Sequence, residues 1–166
     1  MNKVFSNIPP VEFTKIKFTQ KIIKCINLKP NLILRGISEN SNEIGTDYGF
    51  FALAGSKTHG AFYVKDAITK GANLIITDTQ GLKIIGEMQL NTAIIIFSEP
   101  RKIISEIATY FFTKIPHNIV GITGTNGKTS VAHYIRQFWE NLGYNSASIG
   151  TTGVNGLINF KTQHTT

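Results

Sequence analysis

The ten residues Gly121–Ser130, GITGTNGKTS, carry the chemistry most directly legible in this 166-residue chain. Gly124 and Gly127 allow the backbone to turn tightly, so that consecutive N–H groups can converge on an anion. Lys128 supplies a mobile positive charge able to reach the β- and γ-phosphates of a nucleotide, and the Thr129 hydroxyl is the right ligand type for Mg²⁺. Thr125, Asn126 and Ser130 complete the stretch from Gly124 to Ser130 expected to hold a nucleotide's phosphates, with Lys128 as its catalytic charge. The glycines fall at 121, 124 and 127, and Ile122 stands where the common phosphate-loop pattern has its first glycine. The loop is therefore not that of a standard NTPase. Read more plainly, it is a Gly-rich turn with a solvated lysine, and the elements on either side argue against that.

A phosphate loop needs a strand to deliver it and a helix to receive it. NIVGIT, just before it, is β-rich. KTSVAHYIRQFWENLG, from Lys128, spaces Val131, Ile135, Phe138 and Leu142 at helical intervals, with Gly143 as the stop. SASIGTTG reads as the next strand, giving the opening of a parallel α/β nucleotide-binding domain. Upstream, RKIISEIATYFFTK places Ile103, Ile104, Ile107, Ala108, Phe111 and Phe112 on one helical face. Before Pro100 the elements are shorter. NLILRGIS, FFALAG, NLIITD and TAIIIFS read as strands, AFYVKDAITKGA as a helix ended by Gly71, and part of FTKIKFTQKIIKCINL, with Ile16, Ile22, Ile23 and Ile26, as helical. The expected division is a small α/β unit over residues 1–99 and a second unit from 100 to 166.

Composition narrows the class. With 42% hydrophobic and 16% charged residues the chain is folded material, and no apolar run approaches the roughly 18–20 residues of a membrane span. The N-terminus lacks an apolar run followed by a cleavage site, which argues against export and for a cytoplasmic setting. Cys25 is the single cysteine, so no internal disulfide forms, and it is expected to pack as a small apolar residue. The formal charge of +7 raises nucleic-acid binding, but the lysines are scattered without interleaved aromatics, and an anionic small substrate accounts for the charge equally well. His59, His117, His133 and His164 show no metal-ligand spacing and read as surface or packing residues. Asp66 and Glu106 read as solvated charges on helices.

TGTNGKTS resembles the ATP loop of the Mur ligases, which add amino acids to the peptidoglycan precursor. NSNEIGTDYGFFALAG is similar to the D-S-R…G-D-x-F-x-A-L-x-G stretch of that family. Ser41 falls on its serine, and Asn40 and Asn42 replace its Asp and Arg. HGAFYVKDAITKGA continues the likeness, and IGTTGVNG with the terminal HTT resembles segments of the family's UDP-N-acetylmuramoyl-tripeptide synthetase branch. The resemblance runs over about residues 34 to 166.

It implies an α/β fold in which a small N-terminal UDP-binding domain precedes the start of a P-loop-type parallel ATP-binding domain. It implies an ATP- and Mg²⁺-dependent ligase of peptidoglycan synthesis, and so of cell-wall biogenesis, cell shape and division. Such an enzyme joins a diamino acid, meso-diaminopimelate or L-lysine, to UDP-MurNAc-L-Ala-D-Glu. Ser41 and the Ser56, Lys57, Thr58 loop are then expected to hold the uridine nucleotide, and Thr165 and Thr166 the muramoyl part. In the family the carbamylated lysine, the acidic Mg²⁺ ligands and the amino-acid-binding domain lie downstream. The chain is accordingly expected to be a truncated N-terminal part that does not ligate by itself. The alternatives are a non-catalytic UDP-sugar- or nucleotide-binding remnant and another P-loop ATPase; the latter calls for a Walker-B-type acidic strand, and none is legible.

Overall fold

Three apolar runs, YGFFA, ANLIIT and AIII, set the centre of the first unit. In the computed structural model, which describes residues 8–86, 88 and 90–156, they form strands β5 (Tyr48–Ala52), β6 (Ala72–Thr77) and β7 (Ala93–Ile96). Ahead of them lie β1 (Val11–Glu12), β2 (Lys24–Ile26), β3 (Ile33–Leu34) and β4 (Gly36–Ser38). The main sheet has the order β2-β7-β6-β5-β4. β4 to β7 run parallel, and β2 closes one edge antiparallel to β7. Strands apolar on both faces require cover on both sides. The register supplies it in two layers: Phe50, Ile75 and Ile94 align on one face, and Phe51, Ile76 and Ile95 on the other.

The first layer packs with α1 (Val64–Thr69), α2 (Thr79–Ile85) and the 3₁₀ turn Gly60–Tyr63 through Ala61, Val64, Ala67 and Ile85. The second receives Ile103, Ile107 and Phe111 of α3 (Pro100–Phe111). These three sit at i, i+4 and i+8, the stripe an amphipathic helix buries, and each such side chain contributes about 1.5–3 kcal/mol.

That packing moves the division of the chain. The compact units are Met1–Ile115 and Pro116–Thr166, so α3, which the sequence suggests opens the second unit at residue 100, belongs to the core of the first. The amphipathic period showed that α3 has an apolar face but not which sheet the face meets.

Other expectations are corrected in the same unit. The stretch read as partly helical is a 3₁₀ turn at Phe13–Lys15 and the edge strand β2. Its isoleucines serve opposite faces, Ile16 and Ile22 in one cluster and Ile26 in the other, as strand pairing demands and one helical stripe does not. Cys25 is exposed on β2 and is not a core residue. NLILRGIS divides into β3 and β4, which join different sheets.

The second unit is small. It holds α4 (Lys128–Asn141) and the antiparallel hairpin of β8 (Ala147–Gly150) and β9 (Gly153–Gly156). The Ser146 hydroxyl ties the two by donating to the Arg136 carbonyl at 3.0 Å. SASIGTTG thus forms a hairpin arm with β9 as its partner, where a parallel strand was expected. NIVGIT, residues 118–123, is not a strand, because no hydrogen-bonding neighbour lies beside it among the described residues. Val131, Phe138 and Leu142, spaced at helical intervals in the sequence, lie exposed on α4.

Candidate functional site: a phosphate loop and a sheet edge

In the second unit the loop is shaped by its glycines. Gly124 (φ +141°) and Gly127 (φ +77°) occupy the left-handed half of backbone space, which a side chain resists. Gly127 is the N-cap of α4, and no side chain caps that end. The first-turn N–H groups are therefore not claimed by a side-chain oxygen, and the helix dipole adds partial positive charge there. The Lys128 ammonium stays at the loop, donating to the carbonyl of Gly124 and, at 3.4 Å, to that of Thr125. Thr129 Oγ1 lies 3.4 Å from Thr151 Oγ1 in the turn of the hairpin. A cleft of about 360 Å³ opens beside it, lined by Thr129, Ser130, His133, Ser148, Thr152 and Asn155 among others. The unit thus joins free backbone donors, a lysine and two hydroxyls, a donor set suited to phosphate. For Mg²⁺ it offers the Thr129 hydroxyl. Mg²⁺ takes most of its ligands from phosphate and water, so one protein oxygen fits, and no cluster of three or more His, Cys, Asp or Glu suited to a metal occurs among the described residues.

In the first unit the expected residues follow the carboxyl ends of neighbouring parallel strands, where open α/β sheets place ligands. Ser41 follows β4 and is nearly buried in the 3₁₀ turn Ser41–Glu43. Ser56, Lys57 and Thr58 follow β5 in an exposed turn closed by Gly55 N–H on the Thr58 carbonyl at 3.0 Å. Arg101 at the start of α3 joins the two loops: Nη2 donates to the Ala54 carbonyl at 3.1 Å and Nη1 lies 3.9 Å from Glu39 Oε2. Thr165 and Thr166 lie outside the described residues.

Beneath that edge is a buried polar pair. His59 Nδ1 accepts from Ala61 N–H at 3.0 Å, which leaves Nε2 as the donor to Asp78 Oδ1 at 3.2 Å. Asp78 also caps α2 by accepting from Gly81 N–H at 2.7 Å. Both ring nitrogens are satisfied, so the pair clamps the end of the Ser56–Thr58 loop to α2. His59 is the packing residue the sequence suggests, with a carboxylate partner 19 positions away that spacing did not reveal.

Asp66 and Glu106, read as solvated charges, are exposed but engaged. Lys70 and the Ser41 hydroxyl hold Asp66 below the usual carboxylate range. The Thr19 side chain and backbone do the same to Glu106. The i,i+4 spacing of Asp66 and Lys70 was the available signal for the first.

Residues 122–166 match the Mur ligase middle domain. The chain is 41% identical over 124 residues to the UDP-N-acetylmuramoyl-L-alanyl-D-glutamate--2,6-diaminopimelate ligase of Mesorhizobium japonicum, covering 75% of this chain and 25% of that protein. It is 39% identical over 121 residues to the ligase of the same name from Rickettsia montanensis, covering 73% and 24%. Among solved structures it is similar to the MurF ligase from Thermotoga maritima in complex with ADP, with TM-score 0.49 and 21% identity over 63% of this chain and 23% of that one. The chain spans about a quarter of the length of the curated relatives it matches. By its middle-domain match and its identity to these relatives, the chain is similar to the Mur ligases over part of their length.

Proposed function

We propose that this chain provides the ATP loop and the uridine-nucleotide unit of an ATP-dependent ligase. The proposed enzyme joins 2,6-diaminopimelate to UDP-MurNAc-L-Ala-D-Glu in the cytoplasm during peptidoglycan synthesis. The observation that carries the reading is the loop at Gly124–Ser130, whose left-handed glycines, uncapped helix start and lysine form a phosphate cradle. The names of the 41%- and 39%-identical relatives supply the reaction.

In this reading the N–H groups of the loop and of the first turn of α4 orient the triphosphate. Lys128 leaves the Gly124 and Thr125 carbonyls to neutralise the β- and γ-oxygens. Charge-stabilising donors of this kind act most strongly in the transition state. Thr129 would hold Mg²⁺, which when bound would add to the neutralisation of phosphate charge. The loops after β4 and β5, with Ser41, Ser56, Lys57 and Thr58, take the uridine nucleotide, and Thr165 and Thr166 the muramoyl part.

A chimera tests this. Residues 34–166 of the chain replace the matching segment of the Mesorhizobium japonicum ligase, and ADP release is followed with UDP-MurNAc-L-Ala-D-Glu and either 2,6-diaminopimelate or L-lysine. Release requiring the dipeptide and diaminopimelate, and lost with Lys128→Ala, is expected. A chimera that folds and binds ATP but releases no ADP with either amine counts against the reaction.

A further inference from the structure

Arg101, the second residue of α3, follows β7, and β6 lies between β7 and β5 in the sheet. Its guanidinium nevertheless reaches the loop after β5, where Nη2 donates to the Ala54 carbonyl at 3.1 Å. That loop is a firm anchor. Ala54 bridges to His59, Gly55 N–H donates to the Thr58 carbonyl at 3.0 Å, and Gly60 N–H donates to the Leu53 carbonyl at 2.6 Å. On the other side Nη1 lies 3.9 Å from Glu39 Oε2, in the loop after β4. That separation is too long for a hydrogen bond, and an exposed ion pair of this kind holds weakly. A guanidinium carries several N–H donors. One goes to Ala54, while the side chain as a whole remains 66% exposed. Residues 54–58 are exposed as well, and Lys57 brings a second positive charge to their loop.

We infer that Arg101 binds the diphosphate of the uridine nucleotide; this rests on the proposed assignment of that nucleotide to the loops after β4 and β5. The base and ribose of such a ligand are neutral and its phosphates carry the negative charge. Ser41, Ser56 and Thr58 offer hydroxyls suited to the neutral part, and Arg101 supplies the charge between the two loops. Its bond to Ala54 orients the guanidinium plane before a ligand arrives. The remaining fork of N–H groups matches a pair of phosphate oxygens. Glu39 competes for the same donors and repels phosphate. Being exposed and 3.9 Å away, it is free to turn into water when phosphate takes its place.

Calorimetric titration of the chain with UDP, at low and at high salt, tests this. Arg101→Ala is expected to weaken UDP about tenfold or more. Its affinity is also expected to depend less on salt, because one of the charges that meets the phosphates is gone. Arg101→Lys keeps the charge without the fork and is expected to recover part of the loss. Glu39→Gln removes the competing carboxylate and is expected to tighten UDP severalfold. Undiminished UDP affinity in Arg101→Ala overturns the inference. So does a loss with unchanged salt dependence, or weaker UDP binding by Glu39→Gln, since either makes Arg101 a latch between the loops and not a ligand. Absence of UDP binding by the unsubstituted chain overturns the nucleotide assignment and the role of Arg101 with it. UDP binding that is indifferent to Arg101 removes this inference alone and leaves that assignment standing.

Discussion

Lys128 donates its ammonium protons to the carbonyls of Gly124 and Thr125, four and three residues behind it in the same loop. The charge that the loop needs for phosphate is thus stored against the loop's own backbone, beside the uncapped start of α4. Exchanging two carbonyl partners for phosphate oxygens is a short movement of one flexible side chain.

Thr129 is the second test of that loop. Its hydroxyl lies 3.4 Å from that of Thr151 and is the one ligand proposed for Mg²⁺. Thr129→Val keeps the shape and removes the oxygen. Mg²⁺ is expected to tighten ATP binding by the unsubstituted chain and to have several-fold less effect on the variant. Calorimetry with and without Mg²⁺ measures it, and equal Mg²⁺ dependence excludes Thr129 as a ligand.

Asp78 serves His59 and the start of α2 at once. Asp78→Ala removes a cap, at about 0.5–2 kcal/mol, and leaves a nearly buried ring N–H unpaired, at about 1–3 kcal/mol. Asp78→Asn keeps an acceptor and is expected to lose less. Hydrogen exchange at the β6 amides, which lie in the first unit, gives the ranking. Equal protection in Asp78→Ala refutes the clamp.

Gly81 lies inside α2, where alanine is ordinarily favoured by about 1 kcal/mol. A Cβ there meets Thr77 Oγ1 at 1.9 Å and His59 Cε1 at 2.8 Å. Thr77 cannot turn aside freely, because its hydroxyl donates to the Ala52 carbonyl at 2.7 Å in a buried place. Overpacking costs about 1–3 kcal/mol and outweighs the propensity, so Gly81→Ala is expected to destabilise the first unit by the same exchange measurement. A stabilised variant contradicts the packing described.

Acid sensitivity follows from three carboxylates. Glu12 is lowered by Lys15 and Thr14, Asp66 by Lys70 and Ser41, and Glu106 by Thr19. A folded-state pKa below the unfolded one means that the unfolded chain binds more protons as pH falls. The stabilisation is present above the ordinary carboxylate range and is lost as pH drops through the lowered values. All three are exposed, so salt weakens the effect. Glu106→Gln is expected to flatten part of the acid limb of a pH–denaturation curve, and an unchanged limb refutes its share.

The central strands were legible because both faces of β5, β6 and β7 are buried, which writes uninterrupted apolar runs into the sequence. Residues 118–123 were misread for the complementary reason: β-branched composition marks a segment able to pair and says nothing of whether a neighbour is there. The α3 stripe was visible at Ile103, Ile107 and Phe111, but its partner sheet was not, since an apolar face carries no address. In the site, the loop residues from Gly124 to Thr129 stood out by type and order. The His59–Asp78 clamp and the Arg101 bridge did not, because each joins segments brought together only by the crossover connections of the parallel sheet.

Titration of the chain with ATP in the presence of Mg²⁺, set against Lys128→Ala, tests the phosphate cradle most directly. The unsubstituted chain is expected to bind ATP more tightly than AMP, because the β- and γ-phosphates are what Lys128 reaches. The variant is expected to lose about tenfold or more in ATP affinity with helix content unchanged by circular dichroism, as an exposed lysine at the first position of α4 allows. Equal affinity of chain and variant for ATP, or equal affinity of the chain for ATP and AMP, contradicts the assignment of Gly124–Ser130 as a triphosphate site.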